Sequence, residues 1–317
     1  MAKLDLMSIT NTRLRNEIER VGLFSIEKIL LMGNQELMEI GNFSDNDINI
    51  IKNIASKSIL PEGFKNALSS ENQLKKKWKH ITLDCPSIDQ ILGGGLPCRG
   101  ITELSGESAA GKTQFCLQYS ITVQYPPQYG GLGRSAVYIC TEDKFPSSRL
   151  HQLLSSFPRD EAAKSSVGTY QFSDNIYVDH IANTDALKQC LYHRLPQMLK
   201  RIRVGIIIID SIAAVFRGDY SVNESIVRAK DLRDIGLQLH KLSRYFGTAI
   251  LCVNQVTDAV DTGKTLPCLG LVWANLVTTK LQVRLSPCRE RTFHLLSSPN
   301  LCPASIPYRI EASGIVT

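Results

Sequence analysis

The chain has 317 residues, enough for about two domains at the roughly 150 residues a domain commonly uses. Apolar residues make up 43% of it and charged residues 21%, which excludes a disordered or fibrous chain. A formal charge of +6, from 36 Lys and Arg against 30 Asp and Glu, is too mild to mark a nucleic-acid binder by itself.

Taken in chain order, residues 1–58 predict a small all-α domain. The apolar positions Leu30, Leu31, Leu37, Met38, Ile48, Ile51 and Ile54 recur at helical spacing, and no strand pattern interrupts them. Within this stretch Ile40-Gly41-Asn42-Phe43-Ser44 separates two helical patterns, with Ser44 placed to cap the second. Such a glycine turn resembles a helix-hairpin-helix, which offers backbone N–H groups to a nucleic-acid phosphate. Here the second glycine usual in that turn is missing and Phe43 is bulky, so a DNA contact and a plain packing module both stay open. Residues 59–80 read as a linker, because Pro61 and Gly63 stop the helix and a polar stretch follows. It ends in Lys75-Lys76-Lys77-Trp78-Lys79, a run that is ordinarily a solvated face.

Residues 81–317 alternate short apolar runs with helical segments. Residues 100–104, 136–140, 204–209 and 248–253 are strand-like, and the third run is apolar on both faces, as in a parallel sheet covered by helices. Residues 276–285 and 291–296 follow each other without a helix between them, and they predict an antiparallel extension of that sheet. The expected class is therefore α/β. No apolar run approaches the roughly 18 residues of a membrane span, and no basic segment leads into one at the N-terminus, which argues against secretion and membrane insertion. Nine cysteines lie scattered without a C-x-x-C pair, the pattern of reduced thiols in an intracellular protein.

The chemistry concentrates in four places. Gly106-Glu107-Ser108-Ala109-Ala110-Gly111-Lys112-Thr113 is a complete G-x-x-x-x-G-K-T phosphate loop, set between a strand-like run and the helical residues 114–123. Backbone N–H groups and a helix N-terminus converge on the phosphates in such a loop; Lys112 offsets their charge and Thr113 ligates magnesium. The second magnesium ligand should hang from a buried strand, and Asp210, which ends the run Ile206-Ile207-Ile208-Ile209, has no packing reason to be there. Tyr138-Ile139-Cys140-Thr141-Glu142-Asp143 is another strand ending in acids, and Glu142 is the candidate base that orients and deprotonates water; for Asp143 a solvent-facing acid is an equal reading. Leu251-Cys252-Val253-Asn254-Gln255 ends in amides, so Gln255 can sense a γ-phosphate, and the polar loop after it, residues 256–269 with Gly263 and Lys264, could move with it. Six histidines without an i, i+4 pair or a cysteine companion at ligand spacing argue against a zinc site, and the absence of G-x-S-x-G excludes a serine hydrolase.

These motifs, in this order behind a helical domain and linker, resemble the RecA-like eukaryotic recombinases, the Rad51 family, over essentially the whole chain. Leu92-Gly93-Gly94-Gly95-Leu96-Pro97 and Gly100-Ile101-Thr102-Glu103-Leu104-Ser105-Gly106 carry the resemblance, and Ile209-Asp210-Ser211-Ile212-Ala213-Ala214-Val215-Phe216-Arg217 narrows it to a paralogue branch. The resemblance implies a RecA-like P-loop core that binds ATP and Mg2+. It implies a factor in homologous-recombination repair of DNA double-strand breaks, acting on single-stranded or branched DNA in the nucleus, with the cytoplasm also open. It further implies a weak DNA-dependent ATPase activity, and partnership with a recombinase paralogue of the C type, or with the recombinase itself. It assigns Arg149 to adenine stacking, and it identifies Phe64-Lys65-Asn66-Ala67 with the family's F-x-x-A motif, in which Phe64 and Ala67 plug a neighbouring ATPase core while the linker adds a strand to its sheet edge. Two departures stand out. Residues 218–225 hold no arginine where a strand-exchange recombinase carries one in its first DNA-binding loop, and the second loop, between Gln255 and Gly270, is short. An autonomous strand-exchange ATPase and a non-catalytic scaffold with ATP as interface glue remain the alternatives.

Overall fold

The structure is a computed structural model; it describes residues 4–6, 9–59, 78–158, 165, 171–220, 222–258 and 265–317. Phe64, Ala67, Lys75 to Lys77 and Lys264 lie outside the described residues. The chain divides into two compact units, residues 1–75 and 76–317.

The first unit is four helices, α1 (Thr12–Val21), α2 (Ile26–Leu31), α3 (Asn34–Ile40) and α4 (Asp45–Ile59). Its core gathers Leu14, Ile18, Ile26, Ile29, Leu37, Phe43, Ile48 and Ile51. Leu30, Leu31 and Met38, read from spacing as part of that face, are exposed instead. In the six-residue α2, Ile26 and Ile29 already take the inward positions. Ser44 does cap α4: its Oγ accepts from the Asp47 amide at 3.2 Å, while Asp47 Oδ2 accepts from the Ser44 amide at 2.9 Å. Phe43 points inward, and a Cβ on Gly41 would lie 2.5 Å from its ring, so the turn is built around a packing contact.

In the second unit a short ribbon, β1 (His80–Ile81) with β2 (Leu96–Pro97), precedes the main sheet. The sheet strands follow in sequence as β3 (Ile101–Gly106), β4 (Ser135–Cys140), β5 (Ile176–His180), β6 (Val204–Asp210), β7 (Ala249–Asp258), β8 (Thr265–Pro267), β9 (Thr279–Leu285), β10 (Arg291–Ser297), β11 (Ala304–Glu311) and β12 (Gly314–Val316). Their spatial order is β12-β11-β10-β9-β3-β7-β6-β4-β5, with β8 paired to β7. Neighbours from β9 to β5 run parallel and those from β9 to β12 antiparallel, so the fold is α/β with the expected C-terminal extension. The four isoleucines of β6 explain the layering. Ile206 and Ile208 enter one core with Tyr138 and Phe115, and Ile207 and Ile209 enter the other with Leu187 and Leu239. A strand apolar at every position needs helices on both faces, and these two cores supply them.

The extension starts later than the pattern suggests. A helix at Gly270–Ala274 and its closing turn occupy Leu276 and Val277, and the pairing begins at Thr279. Residues after Gln255 also differ from the expected open loop: β7 continues to Asp258 and pairs with β8, and the Cys268 amide donates to the Gln255 carbonyl at 2.8 Å. No helix among the described residues is long and apolar enough to cross a membrane.

Candidate functional site

Parallel strands deliver their C-terminal ends to one edge of the sheet, and there ligands commonly bind in such folds. The register makes the convergence specific: Gly106 pairs with Gln255, and Cys140 pairs with Asp210. A cavity of about 1030 Å³ opens at this edge. Of the sequence-assigned residues it takes Gly106, Ser108, Ala109, Gly111, Lys112, Thr113, Glu142, Arg149, Asp210 and Gln255 into its lining. Glu107 and Ala110 belong to the same loop but not to the lining, and Ala110 is fully buried.

Both glycines of the loop, Gly106 and Gly111, have a steric reason. A Cβ on Gly106 would stand 2.3 Å from the Val283 carbonyl oxygen, a main-chain atom of β9 that cannot turn aside. Gly111 has φ +108, and a Cβ there would meet Ile310 at 2.5 Å. Ala109 between them adopts φ +62, a left-handed conformation a side chain rarely takes. The loop then runs into the helix Lys112–Thr122, whose first-turn N–H groups have no partners within the helix.

Lys112 Nζ donates to the carbonyls of Gly106 and Glu107 at 2.8 and 2.6 Å. Burial pulls its ammonium below the ordinary lysine value, against the opposing pull of Asp210. Asp210 Oδ2 accepts from Thr113 Oγ1 at 2.8 Å and from the Tyr138 hydroxyl at 2.7 Å. One carboxylate beside one hydroxyl, facing a phosphate loop, is a donor set that suits magnesium, which keeps most of its shell as water and phosphate oxygen. No group of three or more His, Cys, Asp or Glu poised for a metal exists among the described residues.

Across the cavity, Gln255 Nε2 donates to both oxygens of Glu142, at 3.0 and 3.2 Å. Arg217 joins them: its Nη2 lies 3.2 Å from Glu142 Oε1 and also donates to Gln255 Oε1. In the sequence Arg217 figures only as the last residue of the 209–217 stretch that carries the family resemblance, and nothing there signals this bridge. Arg149 donates to Gln114 Oε1 at 2.7 Å and to the carbonyls of Glu311 and Ala312 at 2.6 and 3.0 Å. Its planar guanidinium is thereby held in the lining of the cavity.

Behind the site sits a residue that motif reading passed over. Glu103, in β3, is 2% exposed; its Oε1 accepts from Asn254 Nδ2 at 2.7 Å and from Trp273 Nε1 at 2.8 Å. Asn254 donates as well to the Cys268 carbonyl at 2.8 Å, and its Oδ1 accepts from the Gln255 amide at 2.8 Å. The buried carboxyl thus anchors the strand that carries Gln255 and the base of the hairpin beyond it. Burial pushes the Glu103 carboxyl above the ordinary carboxylate range, against the opposing hydrogen bonds from Asn254 and Trp273.

The chain is similar to known proteins over most of its length. The Rad51 family model matches residues 74–317. The mouse protein "DNA repair protein XRCC3" is 35% identical over 96% of this chain and 95% of its own length. The Arabidopsis thaliana "DNA repair protein RAD51 homolog 1" is 31% identical over 94% of this chain and 86% of its own. The fission-yeast "DNA repair protein rhp57" is 29% identical over 75% and 79%.

Proposed function

Because the chain belongs to the Rad51 family, we propose that it is a paralogue-type subunit of recombinational DNA repair that binds ATP and Mg2+ at this cavity. The observation that carries the reading is the meeting of residues from four separate strands, or from just beyond them, on one cavity: the loop lysine after β3, Asp210 of β6 with Thr113, Glu142 after β4 and Gln255 within β7. Lys112 and the loop amides would hold the phosphates, Thr113 and Asp210 the magnesium, and Arg149 the adenine. When bound, the metal supplies charge stabilisation on the phosphate oxygens. Glu142 would orient water, Gln255 would sense the γ-phosphate, and the hold of Arg217 on both suits slow turnover.

The subunit reading is favoured over an autonomous recombinase by the missing arginine in residues 218–225. Partner docking has a surface to use. Among the described residues β5 is the last strand of the sheet, with Tyr177 and Val178 exposed, and beside it lies a groove of about 340 Å³ lined by Val137, Cys190, Leu195 and Met198. An unpaired strand edge next to an apolar groove accepts an extended segment with a hydrophobic anchor. By the same logic Phe64 and Ala67 would enter such a groove on a C-type paralogue or the recombinase, and the assembly would act on single-stranded or branched DNA in the nucleus.

The test is co-purification with the C-type paralogue. Phe64→Glu is expected to weaken the complex by about thirtyfold, because truncating a buried aromatic anchor commonly costs on the order of 2 kcal/mol and a carboxylate adds a desolvation cost. The isolated chain should keep its melting temperature. Normal partner binding by Phe64→Glu, or unfolding of the isolated chain, would refute the assembly reading.

A further inference from the structure

We propose that Arg291, supplied by the antiparallel extension of the sheet, is a second cationic ligand of the nucleotide's phosphate chain. The inference rests on the reading of the cavity as an ATP site. Four cationic side chains line that cavity: Lys112, Arg149, Arg217 and Arg291. Three are engaged. Lys112 bonds two loop carbonyls, Arg149 bonds Gln114 and the carbonyls of Glu311 at the end of β11 and Ala312 in the turn after it, and Arg217 bonds Glu142 and Gln255. The Arg291 guanidinium makes no hydrogen bond or ion pair among the described residues, and its Nε is buried without an acceptor. A buried N–H donor left unpaired is uncommon enough to require an explanation, and in a cation the missing partner is most simply an anion.

Position narrows the anion to the phosphates. Arg291 opens β10, where it pairs with Leu285 on one side and Tyr308 on the other. The hydroxyl of Tyr308 donates to the carbonyl of Ala110 in the phosphate loop at 2.5 Å, and the Arg291 charge acts on that phenol against the burial that pushes it up. The guanidinium is therefore delivered beside the loop. The loop itself needs help. Lys112 is its sole cation, and Ser108, Ala109 and Ala110 bring no further charge against a triphosphate. A guanidinium suits the task, since its planar fork can serve two phosphate oxygens at once.

The experiment measures, on the full chain, competition of ATP, ADP and adenosine against a fluorescent ATP analogue, for wild type, Arg291→Ala, Arg291→Lys and Lys112→Ala. Arg291→Ala should weaken ATP and ADP by about tenfold or more, as loss of a charge-assisted contact does, and leave adenosine unchanged. Arg291→Lys should recover part of the loss. Should Arg291→Ala melt early, Arg291→Gln, which keeps a polar stem without the charge, takes its place under the same expectations. Unchanged ATP affinity in Arg291→Ala beside a clear loss in Lys112→Ala overturns this inference and leaves the ATP site standing. An equal loss for adenosine overturns it too, because the residue would then act by shape. No loss in either variant removes the ATP reading itself.

Discussion

Lys112→Ala is expected to weaken ATP binding roughly a hundredfold while the protein stays folded. A hydrogen bond made by a charged group contributes about 1.5–3 kcal/mol, and the upper part of that range corresponds to this ratio. The fold should tolerate the change. Lys112 reaches only two carbonyls of its own loop, and the glycine-built shape of that loop, fixed by the packing of Gly106 on β9 and Gly111 on Ile310, does not depend on the ammonium. Residual binding then measures what the N–H cradle contributes alone. Equilibrium binding of a fluorescent ATP analogue beside circular dichroism separates the two effects, and unchanged affinity in the folded variant would exclude the site. Glu142→Gln, in contrast, should keep binding and lose whatever turnover exists, since the amide can still bond Arg217 or Gln255 but cannot take a proton.

Glu103→Ala should cost the core unit about 3–5 kcal/mol, the largest stability loss expected of a single substitution here. It combines two terms. The indole N–H of Trp273, 1% exposed, and the amide of Asn254, fully buried, would both lose their shared acceptor, at about 1–3 kcal/mol for each unpaired donor. The vacated volume adds a cavity term. Because Asn254 also holds the Gln255 amide, the damage should spread to the cavity, seen as weaker ATP binding near the melting range. The pH dependence has a definite sign. A carboxyl whose folded value is raised binds its proton more tightly in the folded chain, so its contribution is present below the ordinary carboxylate range and is lost as pH rises through the folded value. Chemical unfolding across pH should show that fall in wild type and a flatter curve in Glu103→Gln, which keeps an acceptor but does not titrate. A wild-type curve no steeper than that of Glu103→Gln would refute the assignment.

What the sequence made legible follows from how local each signal is. The phosphate loop, Asp210 after four isoleucines, Glu142 and Gln255 each follow or close an apolar run with a residue type that packing does not explain, and the register brings all of them to one edge although β7 itself runs on past Gln255 to Asp258. The central strands were readable because they are apolar on both faces. β5 was not, since Tyr177, Val178 and His180 are exposed on an edge that buries little, and β11 mixes half-buried and exposed positions around Pro307. Partnerships across long separations were out of reach altogether. Glu103 and Trp273 are 170 residues apart, Arg217 and Gln255 are 38 apart, and neither pair carries a motif. Arg291 reads in sequence as one more charge beside a hairpin turn, and only the pairing of β10 with β11 puts it next to the loop.

Calorimetric titration of ATP into the full wild-type chain, in Mg2+ and again in chelator, tests nucleotide occupancy of the cavity most directly. Saturable binding near one ATP per chain, weakened when magnesium is removed and weakened likewise by Asp210→Asn in its presence, is the predicted result. Absence of saturable binding, or binding indifferent both to magnesium and to Asp210, would contradict it.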